Sequence, residues 1–293
     1  MGWAISNDGT KLYYEEAGSG TPIVFVHEFG GDYRSWEPQM RQFARRHRCI
    51  TYSARGYAPS AVPADVESYS QRQAVDDLLA IMDACKVDKA HIVGLSMGGF
   101  ATLHAGLVAP QRAISLTVAG AGYGAEKKYE DYFRKVSVEV AEGFERQGSV
   151  EFAKTYSLGS SRVQYQNKDP RGWEEFAAQL AEHDNIGSAN TMRGVQAKRV
   201  SIYDLENDLK AMAVPTLIIT GDEDDHCLQP ALFLKKVLPA SGLLVLPKAG
   251  HTINLEEPER FNSFLAEFIA TVEAGRWDTR DPRALSGEIM KTS

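Results

Sequence analysis

Gly94-Leu95-Ser96-Met97-Gly98 sets a hydroxyl between two glycines, after the apolar run AHIVG and before the helix-like run FATLHAGLVA. A serine so placed sits on a sharp strand-to-helix turn. Gly94 and Gly98 lack a Cβ, so neighbouring backbone can crowd the turn and push the hydroxyl outward. The helix N-terminus favours developing negative charge, and the Met97 backbone N–H offers one donor to an oxyanion. A serine nucleophile needs a base. Of the seven histidines, His251 follows one apolar run (LLVLPKAG) and precedes a helical one (PERFNSFLAEF), which places it on a loop at a strand's carboxyl end. The base needs an acid to orient it. Asp222, Glu223, Asp224 and Asp225 follow a third apolar run, PTLIIT. The order serine, acid, histidine suits acyl transfer by a serine on such a turn. A calcium loop would need an oxygen ligand and then glycine at the fifth and sixth positions of DEDDHC, where His226 and Cys227 stand.

These residues need strands to carry them. Residues 22–27, 49–53, 90–94, 114–119, 215–220 and 242–247 are near-continuous apolar runs, the pattern of parallel strands buried on both faces. WAISNDGTKLYYEE reads as an early hairpin turning at SNDG. Helical spacing marks 71–85 through Val75, Leu78, Leu79 and Met82, and 258–274 through Phe261, Phe264, Leu265 and Phe268. The alternation predicts a doubly wound, mostly parallel α/β sheet, with ligands at the carboxyl ends of its strands.

Residues 123–200 break the alternation. Tyr129, Tyr132, Phe133, Val136, Val140 and Phe144 fall at helical spacing, as do Trp173, Phe176, Ala177 and Leu180. We read a first core part (1–124), a helical cap (125–199) whose Tyr132 and Trp173 are expected to meet substrate, and a second core part (200–293) ending in a polar surface tail.

The chain has 293 residues and a net charge of −7, with no basic stripe to bind nucleic acid or an anionic membrane. Its three scattered cysteines form no disulfide framework and no CxxC zinc pair. There is no bilayer-length apolar run and no leader-like start, so the expected home is the cytoplasm. The expected partners are a small-molecule substrate and at most a second copy of the chain, as a homodimer. No cofactor and no metal are expected.

HEFGG, SARGYAPS, GLSMGG, VPTLIITGDEDD and AGHTINLEEPERF together resemble the α/β-hydrolase superfamily, over nearly the whole chain. The resemblance implies a serine hydrolase of a carboxylic ester, lactone or activated carbonyl, without a cofactor. It puts the acid at Asp224, with Asp225 as runner-up, and the first oxyanion donor at the Phe29 N–H beyond His27. Ser96 sets the chain apart from haloalkane dehalogenases and epoxide hydrolases, which resemble it but use a carboxylate. A C–C bond hydrolase of a diketone-like substrate and a slow-turnover small-molecule sensor are the alternatives. Two positions depart from the superfamily pattern. Glu28 stands where glycine is usual, and Ser53 stands where an Asp commonly lies two residues before Arg55-Gly56. These suggest that the Glu28 carboxyl serves the missing Asp's neighbourhood, bonding Ser53 or Arg55, with a pKa raised by burial beside the oxyanion hole.

Overall fold

A computed structural model describes residues 1–285. The tail's last part, 286–293, lies outside the described residues. Eight strands form one sheet in the order β1-β2-β4-β3-β5-β6-β7-β8. They are β1 (Gly2–Ile5), β2 (Lys11–Ala17), β3 (Pro22–Val26), β4 (Arg48–Tyr52), β5 (Ala90–Leu95), β6 (Ala113–Ala119), β7 (Thr216–Gly221) and β8 (Ser241–Leu246). The β1–β2 hairpin and the β2–β4 pair are antiparallel, and every pair from β4 through β3 to β8 is parallel. The apolar runs read as strands are thus the parallel strands. β8 differs from its reading: as the edge strand it is only partly buried along most of its length. Trp277 lies over Gly242 and donates from Nε1 to the Ala240 carbonyl at 2.9 Å. The start of the polar surface tail is therefore pinned across that edge.

Helices cover both faces. They are α1 (Glu37–Phe43), α2 (Gln71–Ala84), α3 (Met97–Val108), and, after the inserted set, α8 (Glu206–Ala211), α9 (Asp225–Val237), α10 (Ile253–Glu256) and α11 (Pro258–Glu273). The inserted set is α4 (Glu130–Tyr156, broken at Gly148), α5 (Val163–Lys168), α6 (Pro170–Ala181) and α7 (Asn185–Thr191). It lies between β6 and β7 and forms the helical cap. Ser70 caps α2 by accepting from the Gln73 N–H, satisfying a donor that a helix start leaves without an intrahelical partner. Val75, Leu78, Ile81 and Met82 face one core layer; Phe261, Leu265 and Phe268 of α11 face the other. A third apolar cluster joins cap to core: Phe144, Leu180 and Met192 pack with Phe29, Tyr57 and Met97. Among the described residues no helix is long and apolar enough to cross a membrane.

Candidate active site

The loops after β3, β5, β6, β7 and β8 all open at the carboxyl edge of the sheet. Ser96 joins β5 to α3 with φ +54°, a strained left-handed conformation for a residue with a Cβ. The surroundings enforce it. A Cβ on Gly98 would lie 2.0 Å from the Val26 carbonyl oxygen, and one on Gly94 would lie 2.1 Å from the Gly98 carbonyl oxygen. The turn therefore packs directly on the end of β3, as the two glycines predict, and the Ser96 N–H is fixed to the Ala119 carbonyl at 2.8 Å.

His251 follows β8, and its Nδ1 lies 2.6 Å from Asp224 Oδ2. The four-acid loop divides clearly: Asp224 is buried, while Asp222, Glu223 and Asp225 are exposed. Burial pushes the Asp224 carboxyl up, but the charge and hydrogen bond of His251 prevail and hold it below the usual carboxylate range. An ionised Asp224 fixes the proton on Nδ1 and leaves Nε2 as the nitrogen available to Ser96. Cys227, one helical turn further on, has its sulfur close to Asp224 and His251. Burial, and then the Asp224 charge, push its thiol well above the usual value, so it stays neutral.

Ser96 and His251 open into a cavity of about 340 Å³ between core and cap, within the usual size range for small-molecule sites. Phe29, Tyr123, Phe133 and Tyr156 give it aromatic walls, and Arg162, Gln196, Arg199 and His226 give it polar ones. Tyr123 stands edge-on to His251 at 5.0 Å between ring centres, and His226 packs among Tyr123, Tyr129 and Phe133. At the first turn of α3 the Met97 N–H has no intrahelical acceptor. The Phe29 N–H makes no backbone hydrogen bond among the described residues.

Glu28 answers differently from its reading. Its carboxylate accepts from Arg162 of the cap, at 2.7 Å from Nη1 and 2.5 Å from Nη2, and both side chains are 2% exposed. Burial raises the Glu28 carboxyl, but the Arg162 charge and hydrogen bonds outweigh it, so its pKa is lowered rather than raised. Arg162 also donates to Thr252, beside His251, and the neighbouring Ser161 carbonyl accepts from the His251 N–H at 3.2 Å. Lys168, at the end of α5, reaches Glu256 and Glu257. The cap segment 161–168 is therefore tied to the histidine loop.

Neither expected partner reaches Glu28. The Ser53 hydroxyl donates to the Ala58 carbonyl, and Arg55 pairs with Asp77 and Asp8. Both brace the loop after β4, and neither lines the cavity. His27 also lies outside it. The Ala54 N–H donates to its Nε2, so its Nδ1 proton goes to the Glu28 carbonyl at 2.6 Å, and burial keeps the ring neutral. Tyr132 lines the cavity although much of it faces solvent. Trp173 does not line it: its Nε1 donates to the carbonyl of Ser157, itself in the cap, at 2.8 Å. Tyr132→Ala should therefore shift the ratio of kcat/KM between large and small acyl esters. Trp173→Ala should lower Tm by several degrees and leave that ratio in place. Melting curves and a two-substrate comparison check both.

Sequence reasoning missed Tyr123, Arg162, Gln196, Arg199 and His226. Tyr123 and His226 each closely follow a strand end at the carboxyl edge, which was a usable signal. Nothing local in the sequence marks the two arginines.

This sheet, with its serine turn and its cap inserted between β6 and β7, is the α/β-hydrolase architecture. The chain belongs to that family, whose profile, alpha/beta hydrolase fold, matches residues 21–258, and it is a hydrolase. A relative is 3-oxoadipate enol-lactonase 1 of Acinetobacter baylyi, 30% identical over 86% of this chain and 89% of that protein. The enol-lactonase structure from Burkholderia xenovorans LB400 matches with a TM-score of 0.81 at 22% identity, covering 92% of this chain and all of that one. Est816, described as an N-acyl homoserine lactone degrading enzyme, matches at 0.74 with 27% identity, covering 90% and 99%.

Proposed function

We propose that this protein hydrolyses a carboxylic ester or lactone of a small molecule through an acyl-enzyme. The observation that carries the reading is a strained Ser96 sharing one cavity with a His251 whose Nδ1 is held by a buried, ionised Asp224. The Ser96 oxygen attacks the carbonyl carbon while His251 Nε2 takes the hydroxyl proton. The Phe29 and Met97 N–H groups receive the oxyanion. The tetrahedral adduct collapses, the C–O bond to the leaving group breaks, and His251 returns the proton to the departing oxygen. Water then attacks the acyl-enzyme by the same route, and Ser96 is regenerated. The Acinetobacter baylyi enol-lactonase and the lactone-degrading Est816 support this substrate class.

A fluorophosphonate should label the protein once, at Ser96; labelling at another residue overturns the assignment. Asp224→Asn should lower kcat/KM by on the order of 10⁴, because the amide cannot hold the imidazole with its proton on Nδ1. Asp225→Asn, at an exposed position away from the imidazole, should leave kcat/KM close to the wild-type value. Steady-state kinetics on one aryl ester measures both, and the reverse order would move the acid to Asp225.

A further inference from the structure

Three arginines are buried among the described residues: Arg55, Arg162 and Arg199. Arg55 meets Asp77 and Asp8, and Arg162 meets Glu28, all at 2.5–2.7 Å. Arg199 is 7% exposed and meets no carboxylate among the described residues. Its Nη1 donates to the Tyr123 carbonyl at 2.7 Å, and its guanidinium stacks 3.7 Å above the Phe100 ring. Nε and Nη2 have no partner. A buried charge without a counter-charge is costly, and chains rarely keep one.

Its position suggests what balances it. Arg199 lines the same cavity as Ser96 and His251. Tyr123, whose carbonyl it holds, touches His251 with its ring, and Phe100 lies one turn after Ser96. Among the described residues no Asp or Glu lines this cavity, although the chain carries a net charge of −7. Arg162 is already neutralised by Glu28, so Arg199 supplies the uncompensated charge. An outer groove also borders Arg199 and holds Glu130 and Asp204, but these pair with Arg134 and Lys127.

Resting on the acyl-transfer reading, we propose that the substrate carries a carboxylate in addition to its scissile ester, and that Arg199 is the residue that selects it. The substrate's anionic end lies toward Arg199 while its carbonyl faces Ser96. In this water-poor setting an uncompensated guanidinium attracts an anion more strongly than it would at the surface. Burial lowers the Arg199 pKa only to about 9, so the group is cationic at neutral pH.

The test compares two p-nitrophenyl esters of equal chain length. One is the half-ester of a six-carbon dicarboxylic acid; the other, the hexanoate, ends in a methyl group. Wild type should prefer the half-ester by tenfold or more in kcat/KM, mainly through KM. Arg199→Met should bring that ratio near one, and Arg199→Lys should retain part of it. Preference for the hexanoate in wild type, or a ratio that survives Arg199→Met, overturns the proposal. Calorimetric binding of the six-carbon dicarboxylate to Ser96→Ala separates the two readings, since it needs no turnover. If neither ester turns over, Arg199-dependent binding still upholds the anion site while the ester-cleavage reading fails. Absent binding, or equal binding with and without Arg199→Met, overturns the anion site. Arg199→Gln replaces Arg199→Met in both assays if the latter does not fold.

Discussion

Ser96→Ala should lose turnover by on the order of 10⁶ while keeping the wild-type fold. The size of the loss follows from the role: without the hydroxyl there is no acyl-enzyme, and only the oxyanion donors and binding remain. The fold should survive because removing one oxygen leaves the Ser96 N–H bonded to Ala119 and the turn held by the Gly98 contact with β3. The strained φ is imposed by those contacts and not by the hydroxyl. Single-turnover assays alongside thermal melts read both halves. A variant with more than about one percent of wild-type activity would move the nucleophile elsewhere, since a lost nucleophile costs orders of magnitude more.

The second large effect concerns the Glu28–Arg162 pair. Removing one member of a fully buried pair leaves the other as an uncompensated charge, at a cost of about 3–5 kcal/mol. For a chain of this size that is a fall in Tm of about 5–15 °C. Arg162→Met should also reduce kcat, because it leaves the Glu28 carboxylate unneutralised next to the Phe29 N–H, where it opposes an oxyanion. Glu28→Leu combined with Arg162→Met removes both charges and should recover most of the stability, which makes the coupling measurable by a double-mutant cycle. The effect also has a definite pH sign. The folded protein holds Glu28 below its unfolded pKa, so the stabilisation is complete above the ordinary carboxylate range and is lost as pH falls through the lowered value. The Tm gap between wild type and Glu28→Gln should therefore be widest near neutral pH and shrink in acid. A gap that widens in acid would contradict the pairing.

The parallel strands and the loops that carry Ser96, Asp224 and His251 were legible because each is a local signal: an uninterrupted apolar run followed by glycine and a reactive side chain. The choice among the four acids was not legible from pattern alone, since all four follow the same strand, and burial, a tertiary property, separates them. Helical spacing puts Trp173 on an apolar face of the cap, but periodicity fixes a face and not what it meets, and Trp173 meets Ser157 instead of the cavity. Glu28 stands out in the sequence, but the loop nearest to it in the pattern, at Ser53 and Arg55, does not hold its partner. Arg55 instead turns away to Asp77, and the cation that answers Glu28 comes from a polar cap stretch with no sequence mark.

Glu28 and Arg162 stand 134 residues apart in the chain, yet they cannot change independently. Returning position 28 alone to the glycine usual in this superfamily would strand a guanidinium, and losing Arg162 first would strand a carboxylate. Every single-step route between the two sequence types passes through an intermediate with an uncompensated buried charge. The pair is thus an epistatic unit. A glycine at position 28 should be acceptable only in a background where position 162 is already uncharged, and transplanting this cap onto a related core without its glutamate should yield a poorly folded chimaera.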